Sequence, residues 1–126
     1  LARPNLTAWL AARNDGDHYG ELLLIDFPKD KNILGPEQVQ ALIHQDPEVS
    51  KVFGLWDQGD LELVQGNLLV LPLGDGLLYV EPVYLRTSKV GLPSLARIVV
   101  SDGRSIAMDQ SLSLALEQLM KKAPPV

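Results

Sequence analysis

Glycine turns cut the second half of the chain into apolar segments of strand length, and that spacing leaves little room for anything but an antiparallel sheet. Residues 67–73 and 77–85 are apolar runs joined by Gly74-Asp75-Gly76, a three-residue loop that suits a hairpin with a bulge. Residues 95–101 and 104–108 flank Asp102-Gly103, which reads as a tight two-residue hairpin turn: glycine accepts positive φ freely and aspartate tolerates it. The stretches 68–71 and 77–80 are apolar on both faces, so their strands are expected at the centre of the sheet, covered on both sides.

Helical signals lie mostly outside this block. Leu6, Trp9, Leu10 and Arg13 follow an i, i+3, i+4, i+7 spacing, which predicts a short helix over 4–13 ended by Asn14-Asp15-Gly16. A strand is expected over 21–27, stopped by Pro28. Pro36 followed by Glu37 opens a helix over 36–45. Asp46-Pro47-Glu48 repeats the start signal for a second helix over 47–57, because Pro47 would clash inside a continuous one. A last helix over 110–121 carries an apolar stripe of Leu112, Ala115, Leu116, Leu119 and Met120. Strands grouped together with helices at the ends indicate an α+β class: a mostly antiparallel sheet, two hairpins in the second half and about four short helices.

Composition narrows the chemistry. The chain has 126 residues, enough for one domain with its own core, and it is 46% hydrophobic. Its longest apolar runs fall far short of the ~20 residues that cross a bilayer as a helix. Sixteen acids against eleven bases, with no basic stripe, argue against a nucleic-acid surface. No cysteine is present, which removes disulfides, thiolate catalysis and cysteine-bound zinc. No secretory or transit signal is read in these residues. The start at Leu1 leads us to expect a processed or excised piece, and Lys121-Lys122-Ala123-Pro124-Pro125-Val126 reads as a helix end running into a linker.

Glu81 is the candidate functional residue. Alternation along 77–85 places it on one face with Leu77, Tyr79, Val83 and Leu85, where a carboxylate must be paired, hydrogen-bonded or protonated. A structural ion pair with Arg97 or Arg104 is the expectation. The alternatives are a raised-pKa catalytic acid and an edge or bulge, marked by Pro72 and Pro82, that lets Glu81 reach solvent. Asp15, Asp17 and His18 form a weaker candidate for a cation loop, since the EF-hand spacing is absent and a solvated turn explains them. His18 and His44 have no histidine or cysteine partner at ligand spacing, and no G-x-S-x-G or phosphate-cradling glycine motif occurs. Trp9, Trp56, Tyr79 and Tyr84 can be imagined lining a sugar or peptide groove, with core packing the default for both tryptophans. No catalytic, cofactor or metal residue is assigned.

Several blocks carry a family resemblance when taken in order. They begin with Arg3-Pro4-Asn5 and Leu6-Thr7-Ala8-Trp9-Leu10-Ala11-Ala12-Arg13-Asn14-Asp15-Gly16-Asp17-His18-Tyr19-Gly20-Glu21-Leu22. Gly35-Pro36-Glu37-Gln38-Val39, Gln45-Asp46-Pro47-Glu48-Val49-Ser50 and Leu55-Trp56-Asp57-Gln58-Gly59 follow. Gly66-Asn67-Leu68-Leu69-Val70 and Leu78-Tyr79-Val80-Glu81-Pro82-Val83-Tyr84-Leu85 complete the set. The chain resembles part of uncharacterised protein family (UPF) number 0182, bacterial multi-pass membrane proteins with a large soluble region. The resemblance carries over no catalytic residue or cofactor. It implies a parent in the cell membrane and a soluble, extracytoplasmic place for this piece, with the rest of the parent or a second copy as partner. Three functions stand as expectations: an interaction or structural module, a subdomain of an extracytoplasmic enzyme with catalytic groups partly outside this piece and a pocket holding Glu81 or Asp17, and a small-ligand binding domain.

Overall fold

A computed structural model describes residues 5–87 and 91–122. Pro4, where a helix was expected to start, and the expected linker at 123–126 lie outside the described residues. The class is α+β, with antiparallel sheets and, among the described residues, three α-helices. The chain divides into two compact units between Gln38 and Val39.

In the first unit the segment expected as a helix is a strand, β1 (Ala8–Ala12), which accounts for the surplus in the expected count of about four helices. It pairs antiparallel with β2 (Leu22–Asp26), and Trp9 lies opposite Ile25. The apolar positions of this segment fit both periods, and the competition is settled by pairing. An isolated helix of about ten residues is marginal in water, whereas a ladder satisfies the backbone directly. Arg13 N donates to Glu21 O and Gly20 N donates to Arg13 O, both at 2.8 Å, so the ribbon continues past β1. Asn14-Asp15-Gly16 therefore opens a connection through a 3-10 turn (Gly16–His18) and caps no helix.

In the second unit, α1 (Pro36–Gln45) begins before the division and α2 (Pro47–Trp56) follows it after one residue. Asp46 Oδ2 accepts from Val49 N at 3.1 Å, so the proline-and-acid start signal forms the expected cap. Five strands follow: β3 (Leu61–Gln65), β4 (Leu69–Leu73), β5 (Gly76–Thr87), β6 (Ser94–Ser101) and β7 (Ile106–Asp109). The twelve residues of β5 form the axis. One edge of β5 pairs with β6, which pairs with β7; the other edge pairs with β4 along 76–80 and with β3 along 83–87. Stretch 77–80 is central as expected, whereas among the described residues β4 pairs with β5 alone and lies at an edge.

β3 and β4 behave as one edge strand with a break. Gln65 lies opposite Val83 and Leu69 opposite Val80, so one extra residue is absorbed between them. Gly66 N donates to Pro82 O at 2.8 Å within this break. A Cβ on Gly66 would stand 2.7 Å from Pro82 Cγ and 3.1 Å from Pro82 O.

Both hairpins form with different loops from those expected. Leu73 pairs with Gly76, leaving Gly74-Asp75 as a two-residue turn with Gly74 at φ +55. Ser101 pairs with Ile106, so residues 102–105 form a four-residue loop in place of the tight Asp102-Gly103 turn. Asp102 Oδ1 accepts from Arg104 N at 2.9 Å and Ser105 N at 2.8 Å, an Asx arrangement that widens the turn.

The register sorts the side chains into two faces. On one, Leu78, Val80, Ile98, Val100 and Ala107 pack with Ala115 and Leu119 of α3 (Leu112–Lys122). Leu116 joins this cluster at its margin, while Leu112 and Met120 are exposed, so the apolar stripe is narrower than expected. On the other face, Tyr79, Glu81, Val83 and Val99 are buried, and side chains of α1 and α2 reach this side.

The close approach at Gly66 makes a paired prediction. Gly66→Ala should destabilise the chain by about 1–3 kcal/mol through overpacking against Pro82. Gly54→Ala, in helix α2 with open space around its Cβ, should stabilise by roughly 0.5–1 kcal/mol. Urea unfolding of the two variants checks both signs.

Candidate functional site

Glu81 is fully buried, at 0% exposure, in the middle of the longest strand. The alternation that predicted an apolar face is observed, with Tyr79 and Val83 on either side at 2% and 0% exposure. Its partners are amides: Gln40 Nε2 of α1 donates to Oε1 at 2.5 Å, and Gln65 Nε2 at the end of β3 donates to Oε2 at 3.4 Å. Gln65 Nε2 also lies 3.2 Å from His44 Nε2. One amide thus faces a buried carboxylate and a surface imidazole together. His44 further sets its ring edge-to-face on Phe53, with centroids 6.3 Å apart.

The expected arginine match is not what the structure shows. Arg97 lies over the Trp56 ring, 4.6 Å from its centroid, and donates Nη1 to Ala96 O at 2.7 Å. A register shift between β5 and β6 at Val83/Tyr84 sets Val83 opposite Arg97 and Tyr84 opposite Leu95, which leaves Ala96 as the extra residue. Arg104 is exposed in the 102–105 loop and lines a surface cleft with Leu42, Asp46 and Lys122. The escape to solvent at Pro72 and Pro82 is not taken either. The irregularity marked by Pro82 falls on the neighbouring edge strand, at Gly66, and Glu81 stays enclosed.

Burial pushes the Glu81 carboxyl above the usual carboxylate range, and the amides of Gln40 and Gln65, with His44 beyond them, pull it only part of the way back. Two neutral donors satisfy the oxygens without cancelling the charge, and a protonated Glu81 loses less by being enclosed. The carboxyl links α1, β3 and β5 through these two amides. Both its oxygens are engaged by side chains of α1 and β3.

The cation-loop candidates are engaged separately. Arg13 holds Asp15 through Nη2 and through Nε at 3.0 Å, and His18 Nδ1 meets Glu21 Oε2 at 3.0 Å. Asp17 is exposed on the 3-10 turn. Among the described residues no group of three or more histidine, cysteine, aspartate or glutamate side chains is placed to hold a metal ion. Tyr79 and Tyr84, imagined in one groove, lie on opposite faces of β5. Sequence reasoning missed Gln40 and Gln65. Two glutamines so far apart in the chain give no local signal, and β3 itself went unassigned.

The raised Glu81 pKa fixes the sign of a pH dependence. The folded state holds this proton more tightly than the unfolded chain, where glutamate titrates near ~4.3. The stabilising contribution is therefore fully present below that value and is lost as pH rises through the raised folded pKa. Glu81→Gln should remove this component, so that urea midpoints measured from pH 7.5 to pH 4.5 change less than in the parent. An equal pH dependence in both would contradict the assignment.

Comparison with known proteins places this chain in a longer context. Residues 1–56 match the model of an uncharacterised protein family (UPF0182). A UPF0182 protein of Synechococcus sp. (strain CC9605) is 88% identical over 126 residues, covering 100% of this chain and 14% of that protein. A UPF0182 protein of Prochlorococcus marinus (strain MIT 9303) is 64% identical over 120 residues, 95% of this chain and 13% of that protein. One from Thermosynechococcus vestitus is 51% identical over 117 residues, 93% of this chain and 12% of that protein. The chain thus spans about one-seventh of the length of the relatives it matches most fully. No solved structure matches it. The agreement runs from end to end of the chain in relatives that all carry the family's name, and the chain belongs to the uncharacterised protein family UPF0182.

Proposed function

We propose that this chain is an interaction module in the extracytoplasmic soluble part of a membrane protein, where it packs against other parts of its parent or against a second copy. The observation that carries the interaction reading is the face of the β1–β2 ribbon. Leu10 lies opposite Leu24, Leu22 falls on the same side by alternation, and the three are 63%, 58% and 72% exposed. Burying such a side chain is worth about 1.5–3 kcal/mol, so three together form a strong drive to association. A two-stranded ribbon is also marginal on its own and gains from a covering layer. The membrane setting comes from the family resemblance. Among the described residues no helix is long and apolar enough to cross a membrane.

Cysteine labelling tests this reading, helped by the absence of native cysteine in these residues. Leu24→Cys should react quickly with a maleimide in the isolated chain and slowly in a full-length family protein carrying this segment. Equal rates would contradict the reading. In intact cells, a membrane-impermeant maleimide should reach an exposed cysteine at Asp17, which checks the side of the membrane.

A further inference from the structure

The sheet of the second unit is covered unequally. At the level of β4 it is four strands wide, in the order β4-β5-β6-β7. Strands lie about 5 Å apart and a helix with its side chains is about 10 Å across, so such a face takes two helices to cover it. The face holding Glu81 receives side chains from both α1 and α2. Among the described residues the opposite face has one helix, α3, packed on β6 and β7. Its other half is apolar and open: Leu69, Leu71 and Leu73 of β4 are 51%, 38% and 59% exposed, and Leu95 of β6 is 54% exposed. Pro82 and Tyr84 of β5 lie half-buried on this same face. The Glu62–Arg86 pair, facing across β3 and β5 with Arg86 Nε 3.1 Å from Glu62 Oε2, closes its far end with a neutralised polar border.

We infer that this half-face is the seat of a second helix supplied by the same full-length polypeptide, amphipathic and lying beside α3. The inference rests on the reading of the chain as an interaction module and names the occupant of one surface. Three features favour a helix from the parent chain. The vacant width matches one helix. The outward residues of β4 are large and aliphatic, as in a helix-covered sheet. The relatives supply most of their length outside the matched segment, which is 14% of the protein in the Synechococcus relative. Pro72 in β4 has no N–H to give, which disfavours a further strand at that edge.

A photo-crosslinking amino acid at Leu71, and separately at Leu73, in a full-length family protein tests the inference. Irradiation followed by peptide mass spectrometry should yield an intramolecular adduct at either position. The partner peptide should lie outside these 126 residues and carry apolar positions at i, i+3, i+4 and i+7. An adduct to the same face of a second copy, to another protein, or to lipid alone would overturn it, as would no adduct from either position. The Leu24→Cys measurement separates the two readings: protection at Leu24 without a helix adduct at Leu71 or Leu73 sinks this inference and leaves the interaction module standing.

Discussion

A carboxylate enclosed by amides organises the second unit. Glu81 sits at the point where three elements meet: α1 contributes Gln40, β3 contributes Gln65, and β5 carries the acid itself. An enclosed carboxylate without donors costs several kcal/mol, so any arrangement that separates these elements is disfavoured. That constraint specifies more than it stabilises. The apolar contacts of Val39, Ile43 and Val49 supply burial, but many helix positions satisfy them equally. The amide contacts select one rotation of α1 and one register of β3. The break at Gly66 serves the same end, because it brings Gln65 into reach while Gly66 stays bonded to Pro82 O.

The same residues explain which parts of the fold were legible in the sequence. The helix pair was readable because Asp46 and Pro47 act locally, within one turn of where they sit. The shielding of Glu81 was readable because strand alternation is local too. The partner was not, since Gln40 and Gln65 are brought to Glu81 only by the tertiary fold. β1 was misjudged for a related reason: Leu6, Trp9, Leu10 and Arg13 fit a helical period, and the ladder that overrides it comes from residues 22–26. The 102–105 loop shows the limit of a dipeptide signal. Asp102 uses its side chain to bond Arg104 N and Ser105 N, and a two-residue turn becomes a four-residue one. β3 escaped notice because Glu62 and Gln65 dilute its apolar pattern, although both have partners in the fold.

Surface and core carry different information about function. The core holds an enclosed acid bound by amides, and the turn that gathers Asp15, Asp17 and His18 disperses them among Arg13, Glu21 and solvent. The surface holds two aliphatic patches on separate units: the outward leucines of the ribbon and the open half of the sheet face. Both fit a segment of a longer protein, and the family relatives are several times the length of this chain. In such a segment the usual ranking of residues inverts, and exposed leucines say more about use than buried acids do.

The carboxyl titration of Glu81, followed by side-chain carbon NMR in the folded chain, tests the core of this account most directly. With two neutral amides as partners, its midpoint lies above the ~4.3 of an unperturbed glutamate, and Gln40→Leu changes that midpoint while Arg97→Leu leaves it in place. A midpoint well below that value, moved upward by Arg97→Leu, would mean that a cation holds the carboxylate and that the amide-bound arrangement is wrong.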